Sequence, residues 1–227
     1  MNTLLPHIQI ESAPNPVAAV IWLHGLGADG NDFAGMAHEL DLSNCPAIRF
    51  IFPHAPSRPV TLNEGYVMPA WYDVLSRDMS SQQDDAGIRA SERAIVGLIE
   101  REVARGIPAK YIVLAGFSQG SAMVLHTGLR YPQALAGIMA LSGYLPLVDH
   151  FAAERHPANF HTPIFMAHGI QDTVVPISRG EASRNHLVQW GYTLHWHTYP
   201  MQHSVHPQEV SDMSVFLQQV FSTSCSA

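Results

Sequence analysis

Ser118 lies between two glycines in Gly116-Phe117-Ser118-Gln119-Gly120, and this spacing is the first sign of chemistry in the chain. A serine hydroxyl is a weak nucleophile until it projects from a sharp, strained turn and a neighbouring base can take its proton. Glycines two positions to either side remove the side chains that would collide with an adjoining strand and helix. The run Tyr111–Ala115 before the motif reads as a strand and Ser121–Leu129 after it as a helix. The free N–H groups at that helix start favour negative charge, which suits the oxyanion of acyl transfer. Ser118 is therefore the candidate nucleophile. A glycine-rich strand-to-helix turn with no chemistry is the competing reading of the pentapeptide alone, and its partners decide between the two.

A strand-turn-helix serine of this kind needs an acid and then a histidine, in that order, each on a loop after a strand. Asp172, in Gly169-Ile-Gln-Asp-Thr-Val-Val-Pro176, follows the strand-like Pro163–Ala167 and is the first choice. Asp149 lies further from its strand, and Glu154 and Glu181 fall in helical stretches. For the base, His186 falls in a predicted helix and His195 and His197 in a predicted strand. His203 lies between the last strand and the last helix, and His206 shares its loop as a possible substitute. In this arrangement His203 takes the Ser118 proton and Asp172 orients the imidazole and stabilises its cation. Acidification that protonates His203 is expected to lower activity. The oxyanion needs two N–H donors. Gln119, after the nucleophile, supplies one; Leu26, in the glycine-rich Leu23-His-Gly-Leu-Gly-Ala-Asp-Gly30, supplies the other. This chemistry calls for no metal and no organic cofactor.

The elements that must hold these residues alternate along the chain. Val17–Leu23, Arg49–Phe52, Leu135–Leu141 and Pro163–Ala167 join Tyr111–Ala115 as continuous apolar runs of strand length, the pattern of strands buried on both faces of a parallel sheet. Thr193–Tyr199 alternates more and reads as a strand nearer the edge. Helical spacing marks Asp32–Leu40, Ala86–Arg105, Ser178–Trp190 and a C-terminal helix begun near Pro207. The fold class is therefore α/β, a mostly parallel sheet with helices on both faces. No linker or repeat interrupts it, so residues 1–227 are expected to form one domain. Between Leu141 and Pro163 there is room only for a short connection, which excludes a large cap domain.

Residues 57–85 resist this pattern. Pro59, Gly65 and Pro69 break the stretch, and Met68, Trp71 and Tyr72 give it aromatic and apolar weight. Long ordered loops of this kind serve binding or pack into the core. Met68, Trp71 and Tyr72 are candidates for the wall of a substrate groove.

Composition narrows the remaining possibilities. Charged residues make up 14% of the 227, the formal charge is −7, and Lys110 is the only lysine among twelve basic residues. The absence of any basic stripe argues against nucleic acid and anionic lipid as partners. No apolar run approaches a membrane span, so stable membrane insertion is not expected. Cys45 and Cys225 do not make a disulfide framework, and the N-terminal stretch lacks the form of a signal peptide. A cytoplasmic location is the simpler expectation. Fourteen histidines are many for this length. They are scattered, and His195, His197, His203 and His206 read as strand and loop residues rather than a metal site.

Five segments together resemble the phospholipase/carboxylesterase family of α/β-hydrolases, which includes bacterial carboxylesterases and acyl-protein thioesterases. They are the Leu23–Gly30 loop, Pro69-Ala-Trp-Tyr-Asp73, Ala115–Gly120, Gly169–Pro176 and Tyr199-Pro-Met-Gln-His203. The resemblance covers nearly the whole chain and implies Ser118, Asp172 and His203 as the triad, with the N–H groups of Leu26 and Gln119 as oxyanion donors. One position departs from it: Ser121 stands where the family usually has a glycine. The activity expected is hydrolysis of carboxylic esters through an acyl-enzyme on Ser118. An acyl-protein thioesterase or lysophospholipase is the alternative, and a catalytically silent binding module the reading from another class. A small ester, thioester or lysolipid is the expected partner, and relatives leave room for a homodimer.

Overall fold

The computed structural model describes residues 4–76 and 82–224; Cys225 lies outside them. Nine strands occur among them: β1 (His7–Glu11), β2 (Ala18–Leu23), β3 (Ile48–Pro53), β4 (Ser57–Val60), β5 (Tyr66–Pro69), β6 (Ile112–Phe117), β7 (Gly137–Leu141), β8 (Ile164–Gly169) and β9 (Leu194–Tyr199). The helices are α1 (Asn31–Ala34), α2 (Met36–Glu39), α3 (Asp85–Ala104), α4 (Gln119–Gly128), α5 (Val148–Glu154), α6 (Ile177–Gln189) and α7 (Pro207–Ser224). Seven strands form one sheet in the order β1-β3-β2-β6-β7-β8-β9, and β4 pairs with β5 in a separate hairpin. Only β1 runs antiparallel in the large sheet. This is the mostly parallel sheet of the α/β-hydrolase fold. Among the described residues, the connection from β7 to β8 carries only the short α5 and a single 3₁₀ turn, with no large cap.

The continuous apolar runs are strands because both sheet faces are covered. Ile21, Leu114 and Ile138 point into a core with Ile95 and Leu98 of α3 and Met123 and Leu125 of α4. Their neighbours Val20, Val113 and Met139 point the other way, against Phe33 of α1 and Met213 and Phe216 of α7. Side chains alternate across a strand, so each apolar run feeds two cores at once. The more polar Thr193–Tyr199 run becomes β9, which lies at an edge and pairs only with β8.

Three features depart from the pattern read in the sequence. The stretch Asp32–Leu40 divides at Gly35 into two single-turn helices. Within residues 57–85, whose described parts are 57–76 and 82–85, the β4–β5 hairpin stands where a loop was expected. At the other edge, β1 adds an antiparallel strand through Ile8 and Ile10, whose side chains lean on the α7-side core. Cys45 is a free, half-buried thiol whose pKa is pushed up by burial to about 11. Among the described residues no helix is long and apolar enough to cross a membrane.

Candidate active site

The elbow at Ser118 is steric in origin. Ser118 has φ 56° and ψ −116°, a conformation that L-residues avoid unless their surroundings impose it. A Cβ on Gly116 would collide with the Gly120 carbonyl and come within 2.9 Å of Ser121 N. A Cβ on Gly120 would come within 2.7 Å of His24 O and closer to Leu23 O. β6 can therefore turn into α4 beside the end of β2 only with glycine at both positions. The Ser118 N–H donates to Leu141 O (2.9 Å) and fixes the turn to β7. Ser121 is accommodated by Gly143, where a Cβ would lie 2.5 Å from the Ser121 side chain.

Asp172 and His203 meet because the loops after β8 and β9 are held together. Ile170 N donates to Tyr199 O (2.9 Å) and Gln171 N to Met201 O (3.0 Å). Gly169 leaves space for this crossing, since a Cβ there would lie 2.5 Å from Met201 O. The Asp172 carboxylate is fully buried. Its Oδ1 accepts from the N–H groups of Val174 and Val175 at 2.9 Å each. Its Oδ2 lies 2.7 Å from His203 Nδ1, and His203 Nε2 lies 2.8 Å from Ser118 Oγ. A carboxylate only accepts, so Nδ1 carries the proton and donates to Oδ2. Nε2 is then the bare acceptor of the Ser118 hydroxyl, the arrangement that a general base requires. Phe117 packs on the His203 ring with centroids 4.7 Å apart.

His168 lies behind this pair, with Nε2 2.8 Å from Val175 O and 3.6 Å from Asp172 Oδ2. Burial lowers its pKa, outweighing the raising effects of the Val175 carbonyl and Asp172. The sequence motifs pointed past this histidine because it sits inside β8; only its place four residues before Asp172 hinted at a role.

The other candidate acids and bases are placed elsewhere. His206 stacks on Tyr199 and accepts from Gln208 N. His195 and His197 lie on β9, His186 and Glu181 on α6, and Asp149 in the first turn of α5. Glu154 bridges Arg89 and Arg130. Among the described residues no three His, Cys, Asp or Glu side chains are grouped to hold a metal ion.

Leu26, Gln119, Ser118 and His203 all line one cavity of about 600 Å³. Among the described residues the N–H groups of Leu26 and Gln119 meet no acceptor, so both remain available to a bound oxygen. Gly25 packs close enough that a Cβ would lie 3.3 Å from Ser118 Cβ, and Gly27, at φ +77°, turns the loop. The rest of the wall is largely apolar, with Leu62, Val74, Val175 and Pro176. Tyr72 and Tyr144 also face it and share a hydroxyl–hydroxyl hydrogen bond of 2.8 Å. Burial raises both phenol pKa values and keeps them neutral.

Of the three residues read as a groove, only Tyr72 reaches this wall. Trp71 is fully buried. Its indole N–H donates to His24 O (2.9 Å), its backbone N–H donates to Gln119 Oε1 (2.7 Å), and its carbonyl accepts from Ser91 Oγ. Met68 packs with Val60, Ala70 and Val74 beneath the hairpin. Neither side chain lines the cavity; the buried Trp71 indole N–H has to find an acceptor, and here that acceptor is the His24 carbonyl in the Leu23–Gly30 loop.

A mostly parallel sheet with an elbow serine after β6, a buried aspartate after β8 and a histidine after β9 defines an α/β-hydrolase. The chain belongs to the phospholipase/carboxylesterase family, whose model matches residues 5–221. Acyl-protein thioesterase 1 of Neurospora crassa is 40% identical over 223 residues, covering 94% of this chain and 91% of that protein. Acyl-protein thioesterase 1 of Yarrowia lipolytica is 37% identical, covering 94% and 96%. The crystal structure of Zea mays acyl-protein thioesterase 2 aligns with a TM-score of 0.83 at 28% identity, over 94% of this chain and 99% of that one.

Proposed function

We propose that the chain is a serine hydrolase that cleaves acyl thioesters through a covalent intermediate on Ser118. His203 Nε2 takes the Ser118 proton as Oγ bonds to the acyl carbon. The carbonyl oxygen becomes an oxyanion and accepts from the N–H groups of Leu26 and Gln119 at the start of α4. Asp172 holds the imidazolium formed in this step. The tetrahedral centre collapses, the carbon–sulfur bond breaks, and the thiolate leaves with the proton from His203. Water then attacks the acyl-enzyme with His203 again as base, releasing the carboxylic acid and restoring Ser118. The 227 residues act as one domain, in the cytoplasm, without a cofactor.

The observation that carries this reading is the unbroken line from Ser118 Oγ through His203 to Asp172, at 2.8 and 2.7 Å, opening on the cavity that both N–H donors line. Thioesters are put first because the relatives at 37–40% identity are named acyl-protein thioesterases. Carboxylic esters and lysophospholipids are the second reading, favoured by the family's description.

The test is labelling of the purified protein with a fluorophosphonate, followed by turnover of acyl thioesters, p-nitrophenyl esters and lysophospholipids. Stoichiometric labelling that Ser118→Ala abolishes, with kcat/KM highest on a thioester, is the expected result. Folded protein that takes no label would be a binding module, and a higher kcat/KM on oxygen esters would replace thioesters with the second reading.

A further inference from the structure

We propose that Asp32 selects the leaving group of this reaction by charge, favouring a cationic leaving group over an anionic one. The inference rests on the reading of Ser118 as an acyl-transfer nucleophile. Among the described residues that line the cavity, Asp32 is the only carboxylate, and no lysine or arginine lines it. Tyr72 and Tyr144 are neutral phenols. Apart from the catalytic histidine, the fixed charge on this wall is one negative charge.

That charge is not neutralised locally. Asp32 is exposed in the first turn of α1. Its backbone N–H donates to Asp29 O (3.1 Å), but among the described residues its carboxylate meets neither a cation nor a hydrogen-bond donor. The neighbouring Asp29 differs, since its Oδ1 accepts from the backbone and side chain of Asn31 at 2.7 and 2.9 Å. At the buried His24 desolvation dominates and lowers the pKa, while the Gly25 carbonyl, Asp29 and, less strongly, Asp32 favour the protonated form.

The position of this charge matters as much as its sign. Phe33, the next residue, packs on Phe117 with centroids 5.5 Å apart, and Phe117 packs on His203. Asp32 and His203 line the same cavity, and in the proposed reaction His203 delivers the proton to the departing group. The apolar wall of Leu62, Val74 and Tyr144 is left for the acyl chain. A leaving group carrying an ammonium or guanidinium, such as an acylated cysteine flanked by basic residues, would meet an unpaired carboxylate. An anionic carrier would meet the same carboxylate with no cation to receive it. The formal charge of −7 acts in the same direction at longer range.

The experiment compares three substrates with one acyl chain: a thiocholine thioester, a 2-mercaptoethanol thioester and a 3-mercaptopropionate thioester. At a separation of several ångströms, a solvent-facing carboxylate changes the affinity of a charged head group by roughly threefold in either direction. The cation-to-anion ratio of kcat/KM is therefore expected to be about tenfold at low salt, falling as added salt shortens the Debye length. Asp32→Asn should bring the ratio close to that of an uncharged wall, and Asp32→Lys should invert it. Asp41→Asn, which changes the net charge equally but lies off the cavity wall, should keep the wild-type ratio. The same head groups run as oxygen esters keep the ratio readable if thioesters prove poor substrates. An unchanged ratio in Asp32→Asn and Asp32→Lys, or an equal change in Asp41→Asn, would overturn the proposal. A wild-type protein that neither labels nor turns over any ester would overturn the acyl-transfer reading itself, and this inference with it.

Discussion

Replacing Asp172 with asparagine tests whether the buried carboxylate sets the His203 tautomer. The amide can take either of two orientations, and the structure selects one. Oδ1 of Asp172 receives the N–H groups of Val174 and Val175. Turning the asparagine NH₂ toward them would leave two buried bonds unmade, at about 1–3 kcal/mol each. The amide oxygen therefore keeps that position, and the NH₂ faces His203 Nδ1, 2.7 Å from the present carboxylate oxygen. Two donors cannot face each other, so the imidazole proton moves to Nε2. Nε2 then donates toward Ser118 Oγ and cannot accept its proton. A triad held in the wrong tautomer loses about 10⁴ in kcat, or about 5 kcal/mol of transition-state stabilisation at 1.36 kcal/mol per factor of ten. The assay is single-turnover acylation by a p-nitrophenyl ester, with urea unfolding alongside to show that the variant is folded. A folded Asp172→Asn protein that acylates within tenfold of wild type would refute the tautomer argument.

Gly120→Ala places a Cβ against the backbone of Leu23 and His24; because backbone atoms cannot rotate away, a loss of about 3 kcal/mol in stability is expected, together with slower fluorophosphonate labelling. A wild-type urea midpoint and labelling rate would contradict the packing account of the elbow. Glu209 is fully buried, its Oε2 accepts from His206 N (3.2 Å), and desolvation raises its pKa from 4.5 to about 7. The folded state then holds a proton that the unfolded state releases near pH 4.5, so this stabilising contribution is complete below that pH and is lost as pH rises through 7. The difference of about 2.5 units corresponds to roughly 3 kcal/mol. Urea unfolding of Glu209→Gln at pH 5 and pH 8 should show that much less pH dependence than wild type, and equal pH dependence would exclude Glu209 as its source.

The central strands were legible because they need little context: a strand buried on both faces is an unbroken apolar run, as in Ala18–Leu23 and in β8 up to Ala167. The order of the candidate site residues was legible because Ser118, Asp172 and His203 each follow a strand of one sheet, β6, β8 and β9, so chain order stands in for geometry. Edge elements lack such a signature. β1 shows only Ile8 and Ile10 alternating with polar residues, and its partner β3 is some forty positions away. The β4–β5 hairpin is four residues a side with proline in each strand, a composition that reads as loop until the pairing is seen.

The Pro69–Asp73 segment could be read from the sequence in two ways, as a substrate wall or as core packing, and neither reading shows what its polar atoms do. Gly27 N donates to Pro69 O (2.9 Å), and the Trp71 indole N–H donates to His24 O, which ties the segment to the Leu26 loop. The Gln119 side chain accepts from Trp71 N and donates to Tyr72 O (2.8 Å), which ties the same segment to the nucleophile turn. The two N–H groups proposed as oxyanion donors thus belong to loops fastened to one brace. Donors aimed at an oxyanion are effective only when they are held in place before charge develops. Hydrophobicity cannot reveal such a part, because its work is done by backbone carbonyls and one buried amide, whose partners are remote in sequence and close only in the fold.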